Sequence, residues 1–170
     1  LIPTNNITEG SEQWLPPEGV VYKVNTIRAR AFAPRMNPGE TSSATYIVDP
    51  EGAARFSMPV MSIAAHYGAF FDPDSGIYVL GNHSNYFQTG EEWERLAHVE
   101  FFEEDGNLGF AQNLGVRTHG GTTRQRPRKS LRFYARSEYG ESWVNYQLFE
   151  DKPIYQFKRF ILRNSGNDWD

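Results

Sequence analysis

The chain has no cysteine among its 170 residues, which excludes disulfides, zinc-thiolate sites and thiol nucleophiles and leaves the redox compartment open. It also lacks long apolar runs. No stretch approaches the roughly 18 to 20 apolar residues of a membrane-spanning helix, and no basic start followed by an apolar stretch marks a signal peptide. Helical periodicity is scarce as well, with no amphipathic pattern longer than two turns. What is present is 39% hydrophobic and 15% aromatic residues with 15 Gly and 10 Pro, enough apolar mass for one domain or two small ones and unlike a disordered chain. The sequence opens on Leu1 and closes on Gly166-Asn167-Asp168-Trp169-Asp170, so the expectation is a fragment of something longer.

The net charge of -4 is unevenly spread. Glu91 to Asp105 carries seven acids against Arg95 alone, whereas Gly106 to Ser137 has no acid and gathers Arg117, Arg124, Arg126, Arg128, Lys129, Arg132 and Arg136. An acidic block thus precedes a basic one. No recognised nucleic-acid motif accompanies the basic residues, and nucleic acid is not an expected partner.

Short alternating runs bounded by Gly, Pro and Asp recur along the chain and predict a mainly β fold of antiparallel sheets with few short helices. The predicted strands are Asn25 to Phe32, Ala44 to Val48, Met58 to Ser62, Gly76 to Leu80, Leu96 to Glu103, Leu108 to Gln112, Leu114 to His119, Ser130 to Arg136 and Phe157 to Arg163. Glu91 to Arg95 reads as one helical turn, and Asp105-Gly106-Asn107 as a hairpin turn. Asp49-Pro50-Glu51-Gly52 is the expected boundary between a small, truncated β-sandwich-like unit, residues 1–52, and a larger β unit, residues 53–170. Leu1 to Gly19 shows no period.

Alternation places Leu114, Val116 and Thr118 on one face of their strand and Arg117 and His119 on the other. It likewise sets Leu131, Phe133 and Ala135 against Arg132, Tyr134 and Arg136. Paired as a hairpin, these strands gather their cations on one surface. Their connection, Gly120 to Lys129, brings glycine-freed amides, hydroxyls and four cations, a donor set suited to an anion. The foremost reading is a solvated basic hairpin balanced by the acidic block, followed by a phosphate site and last by a nucleic-acid surface. The Gly-x-x-x-x-Gly-Lys-Ser/Thr pattern is absent.

Other candidates carry less. Asp72-Pro73-Asp74-Ser75-Gly76 begins like a calcium loop, but His83 stands where the twelfth-position Glu belongs, which leaves a turn. His66, His83, His98 and His119 lack metal-ligand spacing, so no metal site is expected. Asn82-His83-Ser84 fits a glycosylation sequon. Trp93, Trp143, Trp169 and the tyrosines could line a sugar-binding surface, but aromatics in a β domain are more often core.

Glu92-Trp93-Glu94-Arg95 with His98-Val99-Glu100-Phe101-Phe102, then Gly115-Val116-Arg117-Thr118-His119-Gly120-Gly121, then Pro127-Arg128-Lys129-Ser130-Leu131-Arg132, together resemble the CotH family of spore-coat-type and secreted atypical protein kinases. Tyr134-Ala135-Arg136-Ser137-Glu138-Tyr139-Gly140 and Phe160-Ile161-Leu162-Arg163-Asn164-Ser165-Gly166-Asn167-Asp168-Trp169 extend the resemblance, which covers about Pro59 to Trp169. Val24 to Asp49 resembles the second half of the small β module that ends chitobiase-type enzymes. The CotH resemblance implies a secreted or cell-surface protein whose parent transfers the γ-phosphoryl group of ATP, with Mg, to protein hydroxyls. It also implies that catalytic and metal-binding acids lie beyond Asp170, leaving this chain inactive alone, its catalytic residues unassigned. Arg117, His119, Gly120, Gly121, Lys129 and Arg132 are the expected nucleotide-side residues, with Lys129 as the nucleotide-binding lysine. The alternative is a non-catalytic cell-surface adhesion module with a protein or carbohydrate partner.

Overall fold

The computed structural model describes residues 24–165. The unperiodic stretch Leu1 to Gly19 and the candidate Trp169 lie outside the described residues.

The chain is mainly β, with antiparallel sheets and few short helices, as its alternation predicts. Strand β1 (Asn25–Arg30) pairs antiparallel with β2 (Thr41–Tyr46), Asn25 opposite Tyr46 and Arg30 opposite Thr41. Five further strands, β3 (Val60–Ala65), β4 (Arg95–Phe102), β5 (Leu108–His119), β6 (Ser130–Tyr134) and β9 (Arg159–Leu162), form a sheet in the order β3-β4-β5-β6-β9. A short antiparallel pair is formed by β7 (Val144–Asn145) with β8 (Gln156–Phe157). Among the described residues the one α-helix, α1 (Tyr67–Phe71), spans five residues and is capped by His66, whose Nδ1 accepts from the Gly68 amide at 3.1 Å.

The described residues group into two compact units. One comprises Ala65–Ala97 and the chain from Gln112 onward, and the other the chain up to Ala64 together with His98–Ala111. In the first, Ile77, Leu114, Val116, Phe133 and Val144 are buried, and Phe133 stacks on Phe160 with ring centroids 4.8 Å apart. In the second, Ala64, Val99 and Phe110 are buried, and Phe110 stacks on Phe101 at 5.8 Å. The predicted Asp-Gly turn falls there: Glu103 accepts from the Gly106 amide and donates to the Asn107 carbonyl, with Gly106 at φ +85°.

Two predicted strands, Leu108 to Gln112 and Leu114 to His119, are one continuous strand, β5. Glu91–Trp93 makes the predicted single turn, as a 3-10 helix. Gly76 to Leu80 differs from its predicted strand and is irregular. Its backbone groups are taken by other partners. The Ile77 and Tyr78 amides donate to Ala69 and Phe70 of α1, and the buried Asn85 amide group donates to the Gly76 carbonyl at 3.1 Å. With those groups engaged, no ladder remains for a neighbouring strand to join.

Candidate anion-binding site

Strands β5, β6 and β9 pair so that Arg117 faces Arg132 and His119 faces Ser130, while Ile161 flanks Arg132 from the other side. Because side chains alternate, Arg117, His119, Ser130, Arg132 and Ile161 share one face. Val116, Thr118, Leu131, Phe133, Phe160 and Leu162 share the other, which holds the buried core.

At the end of the cationic face lies a cavity of about 310 Å³ lined by His119, Gly120, Gly121, Thr122, Thr123, Ser130, Arg163 and Asn164. The chain turns out of β5 there because Gly120 sits at φ +119°, a conformation that side chains disfavour, and a Cβ on it would lie 2.5 Å from the Thr123 hydroxyl. The opposite wall is fixed by a clamp. Ser130 Oγ donates to Asn164 Oδ1 at 2.9 Å and accepts from the Asn164 amide at 3.1 Å, while the Asn164 side-chain amide donates to the Arg128 carbonyl. Those bonds occupy Ser130 and Asn164, and His119, Arg163, the threonine hydroxyls and the glycine loop make up the rest of the lining.

The lining includes no carboxylate. Arg132 Nη2 stands 3.5 Å from His119 Nε2, and Arg132 Nε is buried with no hydrogen-bond partner. Burial foremost, and then the charges of Arg132, Arg124, Arg117 and Arg163, hold the His119 imidazole below the ordinary histidine range. Four guanidinium groups therefore act on one ring.

The remaining cations differ in their partners. Arg117 donates to the Gly90 carbonyl and, at 2.6 Å, to the Tyr134 hydroxyl. Arg124 reaches the carbonyls of Tyr86, Phe87 and Gln88. These partners are neutral, so both residues are positioned without losing their field. Arg136 is different: it meets Glu91 at 2.7 Å and the buried Glu94 through two parallel bonds of 2.9 and 3.0 Å.

Lys129 stands apart from the cavity. It is only 6% exposed, its ammonium donates to the Arg126 carbonyl at 2.8 Å, and it lies 4.5 Å from the Tyr86 ring centroid and 5.2 Å from that of Tyr78. Burial lowers its pKa to about 8. The physical reason for its position is parity: Lys129 is an odd number of residues from Arg132, and thus shares the side of Leu131 and Phe133. Of the sequence-predicted residues, the structure brings His119, Gly120 and Gly121 together around the cavity, sets Arg132 against His119 and Arg117 across from Arg132, and places Lys129 in its own aromatic cage. Arg163 and Asn164 join the site unforeseen by local reading. Alternation along β9 from Ile161 is the signal that puts Arg163 on the cationic face.

Elsewhere, Asp72 heads a tight turn in which its Oδ1 accepts from the Asp74 and Ser75 amides and the Ser75 hydroxyl, bonds that hold its carboxyl below the usual range. Asn82 is exposed, and its amide donates to Asp74. Trp93 carries the Arg95 guanidinium 5.2 Å over its ring, and Trp143 the Lys158 ammonium at 4.4 Å, so each indole has a face engaged by a cation. Among the described residues, no three His, Asp or Glu side chains are grouped to hold a metal, and no helix is long and apolar enough to cross a membrane. In comparisons with known proteins, no family model matches the chain, and neither a curated protein nor a solved structure does.

Proposed function

We propose that this chain grips phosphate groups at the His119–Arg163 cavity, as the nucleotide-side portion of a secreted or cell-surface phosphotransferase of the CotH kind. The observation that carries this reading is the cavity's composition. A glycine turn, two threonine hydroxyls, a histidine and an arginine line it, no carboxylate does, and the guanidinium of Arg132 lies behind it. Charge-assisted bonds to phosphate oxygens contribute about 1.5 to 3 kcal/mol each, and unneutralised cations repel one another until an anion arrives. The lining fits phosphate oxygens and offers Mg no carboxylate, so in this reading the metal travels on the nucleotide, and the acids that drive transfer come from elsewhere in the parent. The chain alone binds and does not transfer.

Calorimetric titration of MgATP, inorganic triphosphate and adenosine into the chain tests this. ATP and triphosphate should bind saturably, adenosine should not, and Arg163→Ala should weaken the first two about tenfold, equivalent to about 1.4 kcal/mol. Binding of adenosine alone, or equal affinities in the variant, would overturn the reading. An oligosaccharide that binds while triphosphate does not would favour the adhesion module instead.

A further inference from the structure

His119 on the cavity wall and Arg132 behind it form a pair whose bonding depends on the imidazole's protonation. Arg132 Nη2 has only donors to offer, so its 3.5 Å approach to His119 Nε2 is a bond only when that nitrogen carries no proton. Once Nε2 is protonated, both groups are donors and both are cations, and the contact becomes repulsive. An anion placed between them reverses that: it accepts from both.

We propose that the cavity takes up its anion together with one proton on His119, the Arg132 guanidinium turning from the imidazole to the anion. The inference rests on the reading of the cavity as an anion site and adds to it how the site is regulated. In the step, solvent supplies a proton to Nε2, the Nη2–H···Nε2 contact breaks, and Nε2–H and Nη2–H both donate to anion oxygens. No other bond changes.

The surroundings favour the free site's neutral ring. From its own strand His119 faces Arg117, from β6 Arg132, from the 3-10 turn Thr122–Gln125 Arg124, and from the chain after β9 Arg163, all positive. Burial first and then those charges disfavour the imidazolium, and the charge of a bound anion opposes the four cations directly. Binding therefore strengthens as pH falls, by up to about tenfold per pH unit for a single linked proton.

Sulfate is the probe, because it does not itself titrate near neutrality. Calorimetry at pH 6.5 in two buffers of different ionisation enthalpy should show proton uptake on binding. Affinity should fall at least about tenfold between pH 5.5 and 8, and in NMR the His119 midpoint should rise when sulfate is present. His119→Gln should bind sulfate with little pH dependence. Saturable sulfate binding with no proton uptake and an unmoved His119 midpoint would overturn the proton linkage while leaving the anion site standing. Absence of saturable sulfate binding at every pH would remove both.

Discussion

Arg117 and Arg132 stand directly opposite one another in the β5–β6 ladder, and among the described residues neither forms an ion pair. Like charges across a strand pair oppose folding by roughly 0.2 to 1 kcal/mol, so the arrangement lowers stability and raises local potential. Arg132→Gln is expected to leave urea-unfolding stability unchanged or raise it by about 0.5 kcal/mol, while sulfate or triphosphate protects the variant less than the wild type. A variant that loses more than about 2 kcal/mol and keeps its anion affinity would show that Arg132 serves packing instead.

Lys129 gives a pH-dependent outcome of opposite location. Its folded-state pKa is about 8 against an ordinary 10.5. Below 8 both states carry the proton and the burial penalty is constant. Between 8 and 10.5 the unfolded chain binds more protons, so stability rises with pH through that window. Lys129→Met should flatten the rise. At pH 7 the relief of burying a charge and the loss of the Arg126 carbonyl and tyrosine contacts offset each other to within about 1 kcal/mol. Triphosphate affinity should stay within about twofold, since the ammonium does not line the cavity. Denaturation series at pH 7, 8 and 10 check the first point and a titration the second.

How Gly115 meets Glu94 and Tyr139 explains a further constraint. A Cβ at Gly115 would lie 2.3 Å from Tyr139 Cε2 and 2.9 Å from Glu94 Oε2, in the cluster where Tyr139 donates to Glu94 at 3.3 Å and Arg136 holds both carboxylate oxygens. Gly115→Ala is expected to cost about 2 kcal/mol or more, and Tyr139→Ser should recover part of that in the double variant. Glu94→Gln should cost about 2 to 3 kcal/mol, as it weakens a bidentate bond to a carboxylate whose side chain is 1% exposed. Equilibrium unfolding of the wild type, Gly115→Ala, Tyr139→Ser and their double variant measures the coupling, and strict additivity would contradict it.

The strands and the cationic face were legible because alternation is a local property: Leu114, Val116 and Phe133 inward, Arg117 and Arg132 away from them. Continued one residue back from Ser130, the same rule places Lys129 on the core side. A glycine-rich neighbourhood drew the lysine toward the phosphates, when parity drew it toward Tyr78 and Tyr86. Gly76 to Leu80 has strand-like residues, yet Asn85 and α1 bind its backbone, a contact over distance that no window of sequence contains. Arg163 and Asn164 enter the cavity through the β6–β9 pairing, 34 residues from Ser130 in the case of Asn164. The acidic block meets the basic one where Arg136 pairs with Glu91 and Glu94. The surplus charge that remains around His119 is what a charge count could announce but not locate.

The most direct test of phosphate capture at the cavity is a backbone amide NMR titration of the chain with triphosphate at physiological salt. Saturable shifts centred on Gly120, Gly121, Thr122 and Thr123, with a common dissociation constant and loss in Arg163→Ala, are the predicted result. Unsaturable shifts spread over Arg124 to Arg128, unchanged in that variant, would show a solvated basic loop and contradict the account.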